Sequence, residues 1–562
     1  MAGSDIIQGT AMKLTRRQFL EINALAASLS VGGCVSSGET RSEGQAGAKR
    51  PNILLIVADD MGFSDLGCYG SEINTPNIDR LAASGLRGTQ FYNTSRCCPS
   101  RACLLTGLYP HKAGDGWMSV SDLGQPGYTG ELNDHCITLA QALKPAGYWC
   151  YMSGKWHVVF DKYMEQDSPK DNWPLQRGFD RYYGGLAGDG GYYKPLALTR
   201  DNTRIEAPDE GYYYTDAITE NAVGFVNDHY TSKADDPFFM YVAYYAPHRP
   251  LQAKAQDIAK YKGKYLIGWD ELRRRRHQKQ LEMGLLDEHW DLSPRDNTVP
   301  AWQDVPESDK PLWDLRMATY AAMIDCMDQG IGKILDTLER HQALDNTVIV
   351  FISDNGACAE TAGNGDISTI GTPATNESYR TAWANASDTP FRLYKSYVHE
   401  GGISSPMIVQ WPQGLTAAKG SWCHTVAHLI DLMPTFLELA GAPYPAQLAG
   451  KDLYSLPGKS LVPVFSGKDV PREALFWEHE ANRAVRRGKW KLVSRAVFRP
   501  PYTGPWELYD LEQDRTETNN LVTQYPEIAN EMAALWDDWA KANNVYPLDA
   551  RNWNVKIRAS VR

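Results

Sequence analysis

Continuous apolar runs of strand length constrain this chain most. Asn52-Ile53-Leu54-Leu55-Ile56-Val57-Ala58, Phe238 to Tyr245 and Thr347 to Ser353 leave no polar face, as a parallel strand covered on both sides requires. Each run stops at a polar cluster: Asp59-Asp60, Pro247-His248 and Asp354-Asn355-Gly356. A further strand-like piece, Tyr148 to Met152, runs into Gly154-Lys155-Trp156-His157, and another, Met407 to Trp411, follows Lys395 and Glu400-Gly401-Gly402. Helical spacing intervenes: Ile78, Leu81 and Ala82 within 76–85, and Met317, Tyr320, Ile324, Met327, Ile331, Ile334 and Leu338 at alternating steps of three and four. The expected fold class is α/β, a large, mostly parallel, doubly wound sheet flanked by helices. Such sheets place their sites at the carboxyl ends of the strands, where these polar clusters fall.

The 562 residues allow more than one domain. Gly, Pro, Ser and Lys gather around 448–472 as a connector. Beyond it, Leu475–His479, Ala484–Arg486, Trp490–Val493 and Trp506–Asp510 read as antiparallel strands and 526–543 as an amphipathic helix. The expected domains are therefore 1–49, 50–465 and a small C-terminal α+β unit over 466–562. Residues 255–315 read as an insertion over the sheet edge or the site mouth, with Arg273-Arg274-Arg275-Arg276 as a solvated helix face. A net charge of −11 argues against a nucleic-acid partner.

The N-terminus reads as an address. Thr15-Arg16-Arg17-Gln18-Phe19-Leu20 is a twin-arginine pattern and Ile22 to Gly33 an apolar run too short to span a bilayer. Val31-Gly32-Gly33-Cys34 resembles a lipoprotein cleavage site, which predicts export to the periplasm or cell envelope, with membrane attachment through a lipidated Cys34. Residues 35–49 read as a tether. The ten cysteines show no spacing that suggests a disulfide framework or a zinc cluster.

Cys97-Cys98-Pro99-Ser100-Arg101 precedes a helical run, so Cys97 belongs at a helix N-terminus that favours an anion, with Arg101 one turn on. Asp59, Asp60, Asp354 and Asn355 offer only hard oxygen donors, which suit calcium or magnesium rather than zinc or copper. Lys155, His157, His248, Lys395 and Arg101 could hold an oxyanion and protonate a leaving group.

Cys97-Cys98-Pro99-Ser100-Arg101 with Leu104-Leu105-Thr106-Gly107 resembles the first signature of type I sulfatases, and Gly147-Tyr148 through Gly154-Lys155-Trp156-His157 their second. Asp59-Asp60, Pro247-His248, Ser353-Asp354-Asn355-Gly356 and Thr389 through Ile403 match in order. Gly268-Trp269-Asp270, Leu292 to Asp296 and Leu475 to Glu480 look like the bacterial arylsulfatase branch. The resemblance implies an alkaline-phosphatase-like fold and sulfuric ester hydrolysis. It implies that Cys97 is oxidised to formylglycine by a formylglycine-generating enzyme, and that a calcium ion, preferred over magnesium, is held by Asp59, Asp60, Asp354, Asn355 and residue 97. By position Arg101 would hold the hydrated residue 97, Lys155 would contact it and the sulfate, and His157 would be the base for sulfate release. His248 and Lys395 would bind sulfate and serve the leaving oxygen. Ser404 departs from the Arg many members carry after Gly-Gly-Ile. The substrate would be an aryl, steroid or carbohydrate sulfate, with 255–315, Tyr192, Tyr193 and Lys194 as candidate determinants. The competing readings are a phosphonate monoester or phosphodiester hydrolase of the same superfamily, and a non-catalytic lipoprotein that binds sulfated glycans.

Overall fold

The computed structural model describes residues 49–497 and 502–548. The twin-arginine motif, the apolar run after it and Cys34 lie outside the described residues. No helix among the described residues is long and apolar enough to cross a membrane.

An eleven-stranded mixed sheet forms the centre. Its strands are β1 (Asn52–Ala58), β2 (Leu86–Tyr92), β3 (Trp149–Gly154), β4 (Arg181–Gly185), β5 (Leu198–Arg200), β6 (Thr203–Arg204), β7 (Phe238–Ala243), β8 (Thr347–Ser353), β9 (Ser404–Gln410), β10 (Ser421–Cys423) and β11 (Ala427–His428). The order is β10-β2-β9-β8-β1-β7-β3-β4-β5-β6, with β11 beside β2. The five central strands β8-β1-β7-β3-β4 are all parallel. β9 runs antiparallel to both β8 and β2, so the run at 407–411 is a reversed strand that begins earlier, at Ser404.

β1 shows why its sequence has no polar face. Ile53, Leu55 and Val57 enter one apolar core and Leu54, Ile56 and Ala58 the other. The second core is closed by helices α1 (Pro76–Ser84), α3 (Tyr214–Ser232), α5 (Lys310–Arg340) and α6 (Arg380–Ser387). All seven periodic residues of α5 from Met317 to Leu338 are buried, methionines included. The first core contains helix α2 (Cys97–Thr106), α7 (Leu432–Ala440), and residues of the C-terminal sheet and helix.

A two-stranded ribbon, β12 (Gln447–Leu448) and β13 (Lys451–Asp452), precedes the C-terminal antiparallel sheet of β14 (Leu475–His479), β15 (Asn482–Arg487), β16 (Trp490–Ser494) and β17 (Glu507–Asp510). Helix α8 (Pro526–Ala542) packs on it. The Trp536 indole donates to the Trp477 carbonyl, and Trp477 donates to the carbonyl of Asn93, four residues before Cys97.

Within 255–315, Trp269 is fully buried among Trp302, Trp313 and Trp383. The expectation that the arginine run is a solvated face is corrected. On α4 (Gly268–Glu282), Arg273 and Arg276 point inward, Arg276 bonding Asp65 at 2.6 Å and Glu72 at 3.0 Å. Arg274 and Arg275 alone are exposed, both paired to Glu271. A four-residue run on a helix of 3.6 residues per turn must place some members on the packed side.

Candidate functional site

Strand order assembles the site. Because β8, β1, β7 and β3 are parallel neighbours, their carboxyl ends bring Asp354-Asn355, Asp59-Asp60, Pro247-His248 and Lys155-Trp156-His157 side by side. Cys97 is the first residue of α2, buried at 2% exposure, and the whole first turn of α2 is buried. Lys395 arrives on a loop pinned to both neighbours: its amide donates to the Ala357 carbonyl, and the Ser396 amide donates to the Ser95 carbonyl. All ten residues expected at the site are buried there.

The charges interlock. Lys155 Nζ lies 2.5 Å from Asp59 Oδ2, and Lys395 Nζ lies 2.6 Å from Asp60 Oδ1. Arg101 donates to Asp354 Oδ2 at 2.8 Å, to the Lys155 carbonyl at 2.9 Å and to the Tyr241 hydroxyl at 3.3 Å. Asn355 donates to Asp60 Oδ1 at 2.7 Å. Two oxygens are left over: Asp59 Oδ1 and Asn355 Oδ1 are buried without a hydrogen-bond partner. Buried acceptors are rarely orphaned, and two beside three carboxylates fit a hard cation.

Electrostatics follow from burial opposed by partners. Burial, with Asp354 nearby, holds the Asp59 carboxyl well above the carboxylate range despite Lys155 and Arg101. Burial is outweighed at Asp60, whose carboxyl is lowered by Lys395 and His248. Lys395 stays charged because Asp60 outweighs its burial. His157 and His248 are both pushed down to about 4 by burial. His248 Nδ1 lies 2.6 Å from the Arg249 carbonyl, which only accepts, so Nδ1 carries hydrogen and Nε2 faces Asp60 at 3.5 Å. The Cys97 thiol is held well below its usual range, first by a hydrogen bond from Cys98, then by Lys155 and Lys395 working against burial.

The backbone is strained locally. Asp60, Ser95, His157, Leu393 and Ser396 all have positive φ, between 56° and 76°, a conformation non-glycine residues adopt at a cost and concentrate at functional sites. Gly188 allows His157 its place, since a Cβ there would lie 2.0 Å from Nε2.

Several residues at the site carried no recognisable sequence signal. Tyr241 sits within an apolar strand, yet its hydroxyl meets Arg101. Asp388 accepts from the amides of Phe63 and Ala357, bracing the loops after β1 and β8. At the mouth, Glu360 bridges Arg96 at 2.8 Å and Arg249 at 3.1 Å. Tyr192 is corrected as a substrate determinant: it is fully buried and its hydroxyl donates to the His248 carbonyl at 2.8 Å, bracing the histidine loop. Tyr193 is also packed inward, donating to the Ala253 carbonyl, and Lys194 is exposed and paired with Asp209. Ser404 is buried, and its hydroxyl accepts from Arg515 at 2.8 Å.

Comparison with known proteins agrees with this geometry. The family model described as "Sulfatase" matches residues 51–442, and that described as "N-sulphoglucosamine sulphohydrolase, C-terminal" matches 391–542. An uncharacterised sulfatase of Schizosaccharomyces pombe is 34% identical over 88% of this chain and 94% of its own. An arylsulfatase of Klebsiella aerogenes is 31% identical over 76% of this chain and 94% of its own. The crystal structure of Ps i-CgsB in complex with k-i-k-neocarrahexaose aligns with a TM-score of 0.63 at 27% identity, covering 88% of this chain and 93% of that one.

Proposed function

Since this chain belongs to the sulfatase family and is a sulfuric ester hydrolase, we propose that the strand-end cluster is its active site, with Cys97 converted to formylglycine as the nucleophile. The observation that carries this is the pair of orphaned oxygens, Asp59 Oδ1 and Asn355 Oδ1, in the same buried cluster as a cysteine at a helix N-terminus.

Asp59, Asp60, Asp354 and Asn355 would hold a calcium ion. The ion supplies charge neutralisation for a bound sulfate and favours the alkoxide of the nucleophile. Residue 97, once oxidised and hydrated, offers one hydroxyl to attack sulfur, while loss of the proton from the other expels sulfate by C–O cleavage. The remaining roles belong to the chain's own side chains. Arg101 is locked by Asp354 and a backbone carbonyl, so it fixes the acidic loop and the start of α2 together. Lys155 and Lys395 present fixed ammonium groups to the sulfate oxygens. His157, neutral in its buried setting, accepts the proton that leaves residue 97. His248, with Nδ1–H committed to a carbonyl and its ring held neutral by burial, presents a bare Nε2 as an acceptor beside Asp60. Lys395, kept charged by Asp60, is the one of the two that carries a proton to offer the leaving oxygen.

The charged mouth of Arg96, Arg249, Glu360 and Asp189 suits a polar alcohol such as a carbohydrate better than a steroid. The oligosaccharide bound to Ps i-CgsB supports that choice. The twin-arginine motif and the sequence before Cys34 support export to the cell envelope, lipid attachment there, and maturation by a formylglycine-generating enzyme.

Mass spectrometry of the Cys97 peptide from the native host is expected to show the aldehyde, and 4-nitrophenyl sulfate to be turned over faster than bis(4-nitrophenyl) phosphate. A retained thiol, or a phosphodiester preference of orders of magnitude, would overturn the reading.

A further inference from the structure

The buried strand-end site holds a second donor set whose chemistry is opposite to the first. Cys97 Sγ, Cys98 Sγ and a ring nitrogen of His157 all lie within 4.8 Å of one another, and the three residues are 2%, 0% and 4% exposed. Met118 adds a thioether 3.6 Å from Cys98 Sγ. The oxygen cluster formed by Asp59, Asp60, Asp354 and Asn355 is hard; this one is two thiols, an imidazole and a thioether. His157 Nδ1 is buried without a hydrogen-bond partner, and besides Cys97 and Met118 the Cys98 thiol meets the Trp117 carbonyl at 3.4 Å and the Ser119 backbone.

Sulfate ester hydrolysis uses neither the thiol at 98 nor the thioether at 118. Thiolate and thioether sulfur select soft monovalent copper over calcium or magnesium, and over zinc where a thioether takes part. We propose that the unconverted chain binds one copper(I) ion through Cys97, Cys98 and His157, with Met118 as a weaker fourth donor. Binding releases the two thiol protons and changes no oxidation state. Given the reading of Cys97 as the residue oxidised to the aldehyde, conversion removes one of the sulfur donors. Copper loading and maturation are then mutually exclusive: the metal-capped thiolate is shielded from oxidation, and the mature enzyme no longer holds the ion.

The test uses the full chain expressed without the modifying enzyme, so it reads metal on the thiol form and is independent of sulfatase turnover. Titration with copper(I) against the chromophoric competitor bicinchoninate, under anaerobic reducing conditions, is expected to give one ion per chain. Cys97→Ala should abolish that site. Cys98→Ser should weaken it by well over tenfold and the volume-conserving Met118→Leu by about tenfold. Asp59→Asn and Cys423→Ser should leave it unchanged, with circular dichroism confirming folding of each variant. In a second measurement, copper-loaded chain exposed to a formylglycine-generating enzyme should be converted at least about tenfold more slowly than the metal-free chain, a difference that Cys98→Ser should shrink. The proposal is overturned if one equivalent still binds at full affinity in Cys97→Ala or Cys98→Ser, since the ion would then sit on other thiols. Equal conversion rates with and without copper would also overturn it.

Discussion

Among the described residues, two of the clusters of buried charge are built to different ends. The first is the strand-end site. The second joins the catalytic sheet to the C-terminal sheet: Lys491 Nζ lies 2.8 Å from both Glu400 Oε1 and Glu517 Oε1, and Glu400 Oε2 meets Arg515 at 3.1 Å and the Tyr92 hydroxyl at 2.9 Å. Glu517 Oε2 accepts from the Glu400 amide. Here each carboxylate oxygen has a cation, hydroxyl or amide at hand, Glu517 Oε1 through its ion pair with Lys491 alone. In the site, Asp59 Oδ1 and Asn355 Oδ1 have none. Burial of charge therefore does not mark the functional region; buried oxygens left with neither a cation nor a hydrogen-bond donor do. The closed cluster contributes structure, and the open one keeps donors in reserve for something that arrives.

The sharpest way to break the comparison is to remove one lysine from each. Lys491→Met leaves Glu400 and Glu517 buried without their ammonium, a change expected to cost about 3–5 kcal/mol. Lys155→Met should cost about 1 kcal/mol or less in the metal-free protein, because burial already favours the protonated form of Asp59 and the carboxyl can neutralise itself. Urea denaturation of both variants with chelator present checks this. Equal losses would mean that the site is as closed as the structural cluster.

A somewhat smaller effect separates the clusters by ligand. Calcium at 100–1,000 times its Kd should stabilise the wild type by about 3–4 kcal/mol through the open cluster. Asp59→Asn should lose most of that gain, and a conservative change in the closed cluster, Glu517→Gln, should keep it. Calorimetric melting with calcium or with chelator reads the difference directly. A calcium-induced rise that survives Asp59→Asn would place the ion elsewhere.

The two regions also differed in how legible they were in the sequence. The open cluster was visible because its residues end strands whose apolar runs announce themselves, and because the chain places Cys97 before a helix. Parallel pairing then makes neighbours of groups as far apart in sequence as Asp59 and Asp354. The closed cluster was not visible. Lys491 belongs to a strand that reads as an ordinary alternating one, and Arg515 lies in a loop, so only the packing of one sheet on the other brings them to Glu400. The arginine run on α4 misled for the same reason: local composition says solvent, and the partners that bury Arg276, Asp65 and Glu72, lie two hundred residues away. The strand β2 and helix α3 escaped because neither has clean periodicity. β2 carries Arg87 and Gln90, and α3 mixes Thr, Glu and Asn among its buried residues.

The smallest expected difference is in the response to acid, where the two regions should act with opposite sign. In the closed cluster, Glu400 is held down to about 2, with Lys491, Arg515 and Arg486 outweighing its burial. Its folded value lies below the unfolded value of about 4.3, so its contribution is fully present above that pH and is lost as pH falls towards 2. Beside the open cluster, Asp115 is raised to about 7 by burial; the Ser119 hydroxyl offsets this only in part and Oδ1 has no partner. Its folded value lies above the unfolded value of about 3.9, so the folded state binds the extra proton and stability falls as pH rises from about 4 to 7. At about 1.4 kcal/mol per unit, Glu400 moves stability by about 3 kcal/mol and Asp115 by about 4 kcal/mol, each over its own window. Asp115→Asn should flatten the decline between pH 4 and 7 and leave the acid limb in place. Glu400→Gln should remove part of the acid limb and leave the decline. Denaturation across pH 3–8, with chelator present throughout, measures both slopes. If Asp115→Asn removes the acid limb instead, the signs are reversed, and Asp115 is stabilised as a carboxylate by a partner other than Ser119.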